Sequence, residues 1–183
     1  MRKGFTLIEM LIVITLMSIM VAIAIPFMRV SPTRKVRIQA TQLKRDLELA
    51  RTRALSTKAS TRLKFDQTDE SYTGYADDDD DGKILEKAAE TLALRGFGRR
   101  ELDGAVQYGR GNAGAVPGDT AGSGAVTFLT DYVEFNGRGV TLPFGTRGAV
   151  YFVHRDDSDA VAAVSVTGSG SIKMWVYQGG SWQ

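Results

Sequence analysis

The chain begins with a long apolar run, and its hydrophobic period then changes twice. From Phe5 to Met28 the only charged residue is Glu9, and the stretch 11–25 carries no charge at all. A helix needs about 20 predominantly apolar residues to cross a bilayer. A helix apolar on every side is not a surface helix of a soluble protein. The run therefore predicts a membrane-spanning helix over 5–28. Beyond it Val36, Ala40, Leu43, Leu47, Ala50 and Ala54 recur at alternating intervals of four and three. That spacing predicts an amphipathic helix over 36–57. Ser31-Pro32-Thr33 interrupts the two segments, and Pro32 is expected to bend the path.

From Ser60 the period becomes two. Thr61, Leu63 and Phe65 alternate with Arg62 and Lys64. Further short strands are predicted at 72–75, 91–94, 106–108, 125–129, 132–135 and 149–154. Segments 160–166 and 171–177, separated by Gly168-Ser169-Gly170, predict a closing hairpin. The stretch 109–124, rich in glycine and holding Pro117, predicts a long mobile loop. The order of elements is α+β: a long N-terminal helix, membrane half plus amphipathic half, packed on a C-terminal head of small antiparallel sheets. The apolar face of 36–57 is rich in alanine and has no aromatic anchor, so packing on the sheet is favoured over lying on a membrane surface.

The basic residues Arg2 and Lys3 before the run fit a secretory signal, but the rest does not. Such a signal has an apolar region of about 7–15 residues and a small-residue cleavage site after it. Here the run is longer, and the small residue, Gly4, precedes it.

The segment Lys3-Gly4-Phe5-Thr6-Leu7-Ile8-Glu9 followed by an apolar helix resembles the N-terminus of type IV pilins and type II secretion pseudopilins. The resemblance implies cleavage after Gly4 by a prepilin peptidase, which also methylates the new terminus at Phe5. It further implies an assembly role for Glu9, the fifth mature residue, paired with the amino group of a neighbouring subunit. Pro26 matches a proline common near the far end of the first helix. Physical chemistry agrees in two respects. Glycine lets a protease approach the backbone closely. A carboxylate at membrane depth costs a few kcal/mol unless it finds a partner. The resemblance implies a leader 1–4, a transmembrane and assembly helix 5–28, an amphipathic stem 29–59 and a β-rich periplasmic head 60–183. It implies a single-pass inner-membrane protein with a cytoplasmic N-terminus, and other pilin or pseudopilin subunits as partners. Charge alone does not set this orientation, because Arg29, Arg34, Lys35 and Arg37 follow the apolar run.

The segments Asp46-Leu47-Glu48-Leu49-Ala50-Arg51-Thr52-Arg53-Ala54, Val133-Glu134-Phe135-Asn136-Gly137-Arg138-Gly139 and Val164-Ser165-Val166-Thr167-Gly168 resemble more loosely the minor pseudopilin H and FimT-like group. Ser169-Gly170-Ser171 stands where an arginine is expected after the glycine. The function implied is a minor pseudopilin of a type II secretion pseudopilus. The alternatives are a minor type IV pilin for adhesion, motility or DNA uptake, and a membrane-anchored periplasmic enzyme or binding protein.

Charge and composition narrow the chemistry. Of 23 basic residues, Arg2 and Lys3 lie in the leader, so the remaining chain balances its 21 acidic residues. A neutral mature chain argues against dedicated nucleic-acid binding. Basic residues crowd 29–64 and acidic ones lie further on, an arrangement that permits attraction between neighbouring subunits. The chain has no cysteine, hence no disulfide and no thiol chemistry.

Asp77-Asp78-Asp79-Asp80-Asp81-Gly82 is the densest charge run. Asp77, Asp79 and Asp81 with Gly82 reproduce the first half of a calcium loop. The twelfth position falls on Ala88, where a bidentate glutamate belongs, so a solvated hairpin loop is the competing expectation. No other cofactor is expected. His154 is the only histidine and is read as a strand residue. A Ser–His–acid site drawing on Ser158 or Ser165 and Asp156 lacks any nucleophile-elbow motif, and Asp156-Asp157-Ser158-Asp159 reads as a turn. No catalytic activity is expected.

Overall fold

The computed structural model describes residues 5–27, 31–77, 82–87, 98–119 and 124–183. They divide into two units, Met1–Ser31 and Pro32–Gln183.

In the first unit, α1 spans Leu7–Phe27 and continues through Pro26. Thr6 caps it. Its Oγ1 accepts the Glu9 amide at 3.3 Å, and its carbonyl accepts the Met10 amide at 3.3 Å. Thr-x-x-Glu is the order of a capping box, with the carboxylate in the first turn at the positive end of the helix dipole. Thr15 and Ser18 return their hydroxyls to carbonyls one turn back, at 2.8 Å for Ile12 and for Ile14. No polar side-chain atom of these two residues therefore needs water. Among the described residues no helix is long and apolar enough to cross a membrane. The expected span 5–28 ends on Met28, outside those residues.

In the second unit α2 spans Pro32–Thr57. It starts earlier than the apolar periodicity, because proline is tolerated at the first helical position, where its missing amide has no partner to lose. Val36, Ala40, Leu43, Leu47, Ala50 and Ala54 are all fully buried. They are the face read from the spacing. Gln39 and Asp46 are buried beside them.

Two antiparallel sheets complete this unit. The strands are β1 (Thr61–Asp66), β2 (Ser71–Ala76), β3 (Arg100–Glu101), β4 (Val106–Tyr108), β5 (Tyr132–Phe135), β6 (Thr141–Leu142), β7 (Gly148–His154), β8 (Asp157–Val166), β9 (Ile172–Gln178) and β10 (Ser181–Trp182). One sheet has the order β3-β2-β1-β5-β6, the other β10-β9-β8-β7-β4. The apolar face of α2 closes one core with Leu63, Phe65, Tyr72, Phe135, Phe152 and Val164, drawn from both sheets. This is the α+β arrangement expected: a helix packed on antiparallel sheets.

Strand β7 is buried at every position. Its alternate residues Ala149, Tyr151 and Val153 point away from α2 into a second apolar layer with Val116, Ala113, Ala163 and Val161. Residues 109–119 form that layer, which corrects the expectation of a mobile loop over 109–124 (120–123 lie outside the described residues). Val116 and Ala113 are buried. The Val116 amide donates to the Tyr151 hydroxyl at 2.9 Å, and the Asn112 amide to the Ser158 carbonyl at 2.9 Å. The glycines let the segment lie flat. At Gly111 (φ +50°) a Cβ would fall 2.1 Å from the Ser158 carbonyl oxygen.

Two other expectations are corrected. Segment 125–129 is not a strand: only Val126 bridges, to Val150. The next residues leave the sheet so that Phe128 can stack on Phe65, ring centroids 6.0 Å apart. The acidic turn at 156–159 is shorter than read, since β8 already begins at Asp157. The predicted strand 91–94 lies outside the described residues.

Candidate assembly site

From Phe5 to Ile23 every side chain of the N-terminal unit is exposed. Phe5 is 70 %, Leu7 84 % and Met20 72 % exposed. Exposed apolar surface costs about 25 cal/mol per Å² against burial, so the helix needs either lipid or other helices around it. Glu9 is the lone charge on this surface, fixed in the first turn by the Thr6 cap. Gly4 lies outside the described residues, and Phe5 stands free just before the cap. A positive group arriving at Glu9 would add to the favourable field of the helix N-terminus acting on the carboxylate. The spacing of Thr6 and Glu9 makes the cap visible in the sequence, although Thr6 was not singled out there.

Of the candidate calcium ligands, Asp79 and Asp81 lie outside the described residues. Asp77 is buried, and its Oδ2 accepts the Gly82 amide at 3.0 Å. Among the described residues no three metal-capable side chains gather. The segment beyond is held on the outer face of the first sheet. Arg62 donates to Glu134 at 2.7 Å and to Glu86 at 3.0 Å, with its guanidinium 4.1 Å from the centre of the Tyr132 ring. Burial pushes the Glu86 carboxyl up, but hydrogen bonds from Lys64 and Arg62 outweigh it and hold it below its usual range.

Among the described residues neither Ser158 nor Ser165 is hydrogen-bonded to His154. The His154 Nδ1 accepts the Asp156 amide at 3.2 Å, while the Ser165 hydroxyl accepts the Trp175 indole at 2.8 Å. His154 is indeed a strand residue, buried in β7.

At the far end of α2 the three segments quoted for their resemblance, 46–54, 133–139 and 164–168, meet, although sequence reasoning gave Arg51 no contact. Arg51 donates through Nε to the Gly139 carbonyl at 2.9 Å and through Nη2 to the Ser169 carbonyl at 3.4 Å. The Thr141 hydroxyl bonds the Gly168 and Thr146 carbonyls at 3.0 and 2.7 Å. Gly170 (φ +78°) packs so tightly that a Cβ would meet the Gly139 carbonyl oxygen at 2.1 Å. Arg51 thus joins the β5–β6 and β8–β9 turns. Its partners are backbone carbonyls far along the chain, for which no local pattern exists.

Residues 1–25 match the model of the prokaryotic N-terminal methylation motif. No curated protein matches the chain. Solved structures share the fold at low identity, two of them as follows. The minor pseudopilin EpsH from the type 2 secretion system of Vibrio cholerae superposes with a TM-score of 0.51 at 12 % identity, covering 78 % of this chain and 97 % of its own. The type IV minor pilin FimU of Pseudomonas aeruginosa superposes with a TM-score of 0.50 at 11 % identity, covering 80 % and 96 %. The expected fold is thereby shown, and the methylation motif sits where the sequence placed it.

Proposed function

We propose that this chain, a type IV pilin-like protein by its N-terminal motif and its fold, works as a minor structural subunit of a type II secretion pseudopilus. The observation that carries the assembly reading is the unpartnered apolar surface of α1 with Glu9 as its single charge, attached to a head that has its own core. The precursor sits in the inner membrane through residues 5–28, with its N-terminus cytoplasmic and its head periplasmic. The prepilin peptidase cuts after Gly4 and methylates Phe5. The helix then leaves lipid for a bundle of like helices, where Glu9 pairs with a neighbour's amino group. The chain acts by assembly and catalyses nothing. Since both neighbours share the fold equally, a minor type IV pilin is the second reading.

The test is the intact mass and N-terminal sequence of the protein isolated from cells that contain the peptidase. A chain beginning at Phe5 with one added methyl group supports the reading. A chain that keeps Met1, or one cut beyond the apolar helix, overturns it. Co-isolation with type II secretion pseudopilins, compared with type IV pilins, separates the two machines.

A further inference from the structure

The chain holds two asparagines, Asn112 and Asn136. Asn136 lies in the turn after β5 and is followed by Gly137, whereas Asn112 is followed by Ala113. The fold places the two in opposite chemical circumstances.

In the turn after β5 the Asn136 amide donates to the Val140 carbonyl at 3.0 Å, and the Gly139 amide to the Asn136 carbonyl at 2.8 Å. The Arg138 and Val140 amides both donate to the Asn136 Oδ1, at 2.9 and 3.1 Å. Among the described residues the Gly137 amide has no acceptor, and neither has the Asn136 Nδ2. Position 137 has to be glycine, because a Cβ there would fall 2.4 Å from the Lys58 carbonyl oxygen. The missing side chain also leaves the Gly137 nitrogen open to its neighbour. Lys58, Asn136, Gly137, Arg138 and Phe144 line a concavity of about 460 Å³, wide enough for water.

Asn112 is the more exposed of the two, yet the same groups are committed there. Its Nδ2 donates to the Asp159 Oδ1 at 2.9 Å, and the Ala113 amide that follows donates to the Arg110 carbonyl at 2.9 Å.

We propose that Asn136-Gly137 is a self-modification site, at which the folded turn converts Asn136 into aspartate and isoaspartate. The Gly137 nitrogen gives its proton to water or hydroxide and bonds to the Asn136 Cγ. The Cγ–Nδ2 bond breaks, and ammonia leaves with a proton taken from water. One water molecule then opens the resulting cyclic imide at either carbonyl. One water enters, one ammonia leaves, and nothing is oxidised or reduced. The Arg138 and Val140 amides point at the oxygen on which negative charge develops during attack, as the donors of an oxyanion hole do. The Lys58 and Arg138 cations border the same space and add a field of the same sign.

Either product places a carboxylate in a concavity bordered by two cations. The isoaspartyl form also adds a methylene to the main chain ahead of Gly139, whose carbonyl Arg51 holds at 2.9 Å. The conversion runs one way and needs no partner, so it marks the age of a subunit on this turn.

The test keeps the full chain in detergent micelles in heavy-oxygen water at neutral pH, one portion folded and one in urea. Samples taken over several days are digested in mild acid in ordinary water, so that only conversions preceding digestion carry the label. Any flexible Asn-Gly pair converts to some extent, so the quantity read by mass spectrometry is the folded rate divided by the urea rate. That ratio should be one or more for Asn136, with labelled aspartyl and isoaspartyl forms of the same peptide. For Asn112 it should be well below one. No labelled product at Asn136 in the folded sample, a ratio below one there, or equal ratios at the two asparagines would each overturn the proposal.

Discussion

Asp46 on α2 accepts the Tyr72 hydroxyl of β2 at 2.8 Å, and the same carboxylate oxygen meets the Arg100 guanidinium of β3 at 2.9 Å. The carboxylate is 5 % exposed and also takes the Gln42 amide at 3.1 Å. One buried acid thus fastens the helix to the edge of the first sheet. Asp46→Ala leaves the Tyr72 hydroxyl without its acceptor and should cost about 3 kcal/mol. Asp46→Asn keeps an acceptor and should cost roughly half as much. Urea denaturation reads both as a lower midpoint at unchanged slope. A loss below about 0.5 kcal/mol for the alanine variant would show that solvent already satisfies this pair.

The second prediction concerns alkaline pH. Burial, with neighbouring carboxylates, pushes the phenols of Tyr72, Tyr108 and Tyr151 well above their ordinary value. The unfolded chain ionises its tyrosines near pH 10, while the folded chain keeps these three protonated. Their contribution is whole below about pH 10 and is lost as pH rises further. The limit is about 1.4 kcal/mol per pH unit for each tyrosine. Denaturation between pH 8 and 11 should show a steep fall above 10, and Tyr108→Phe should make it shallower. An equal slope in the variant would locate the loss elsewhere.

A third prediction addresses the segment laid over β7. Asp119 has no exposed side-chain surface. It accepts the Tyr151 hydroxyl at 2.7 Å and the Thr127 hydroxyl at 2.8 Å, and it pairs with Arg110 at 3.3 Å. The Arg110 guanidinium lies 4.1 Å from the centre of the Tyr151 ring. Asp119→Ala removes the buried carboxylate that the Arg110 cation and two hydroxyls share, for a loss of about 3 kcal/mol. Amide exchange should accelerate first at Asn112 and Val116, ahead of α2. Uniform acceleration across the head would instead make Asp119 part of the global core.

These two acids mark where local pattern stops being informative. The α2 face from Val36 to Ala54 was legible because a helix stripe is fixed by spacing alone. So were the strands at Thr61–Asp66, Tyr132–Phe135 and Gly148–His154, to within a residue or two. Asp46 entered only as the first residue of a segment quoted for its resemblance, and Asp119 as part of a glycine-rich loop. What makes each structural is a partner 26 or 32 residues away, and no periodicity encodes that. Phe128 misled in the opposite way. An apolar residue in an extended segment reads as a strand, yet it is spent plugging the space beside Phe65. At the assembly site the sequence carried more, since Glu9 and the Thr6 cap are neighbours in the chain.

The last prediction separates the roles of that first turn. In the proposed function, processing is assigned to Gly4 and assembly to the Glu9 carboxylate. Glu9→Gln is nearly isosteric and keeps the backbone amide that Thr6 accepts at 3.3 Å. The variant should therefore be inserted, cut and methylated like the parent, with the same mass apart from the substitution. It loses one charge-assisted contact with a neighbour's amino group, worth about 1.5–3 kcal/mol when shielded from water. That corresponds to a fall of roughly 10–100-fold in the assembled fraction, read by comparing sheared filaments with membranes. Thr6→Val should act on the other term: it frays the first turn at a cost of about 1 kcal/mol and leaves the charge in place, so its effect on assembly should be smaller. If Glu9→Gln assembles as well as the parent, the carboxylate serves only the helix terminus.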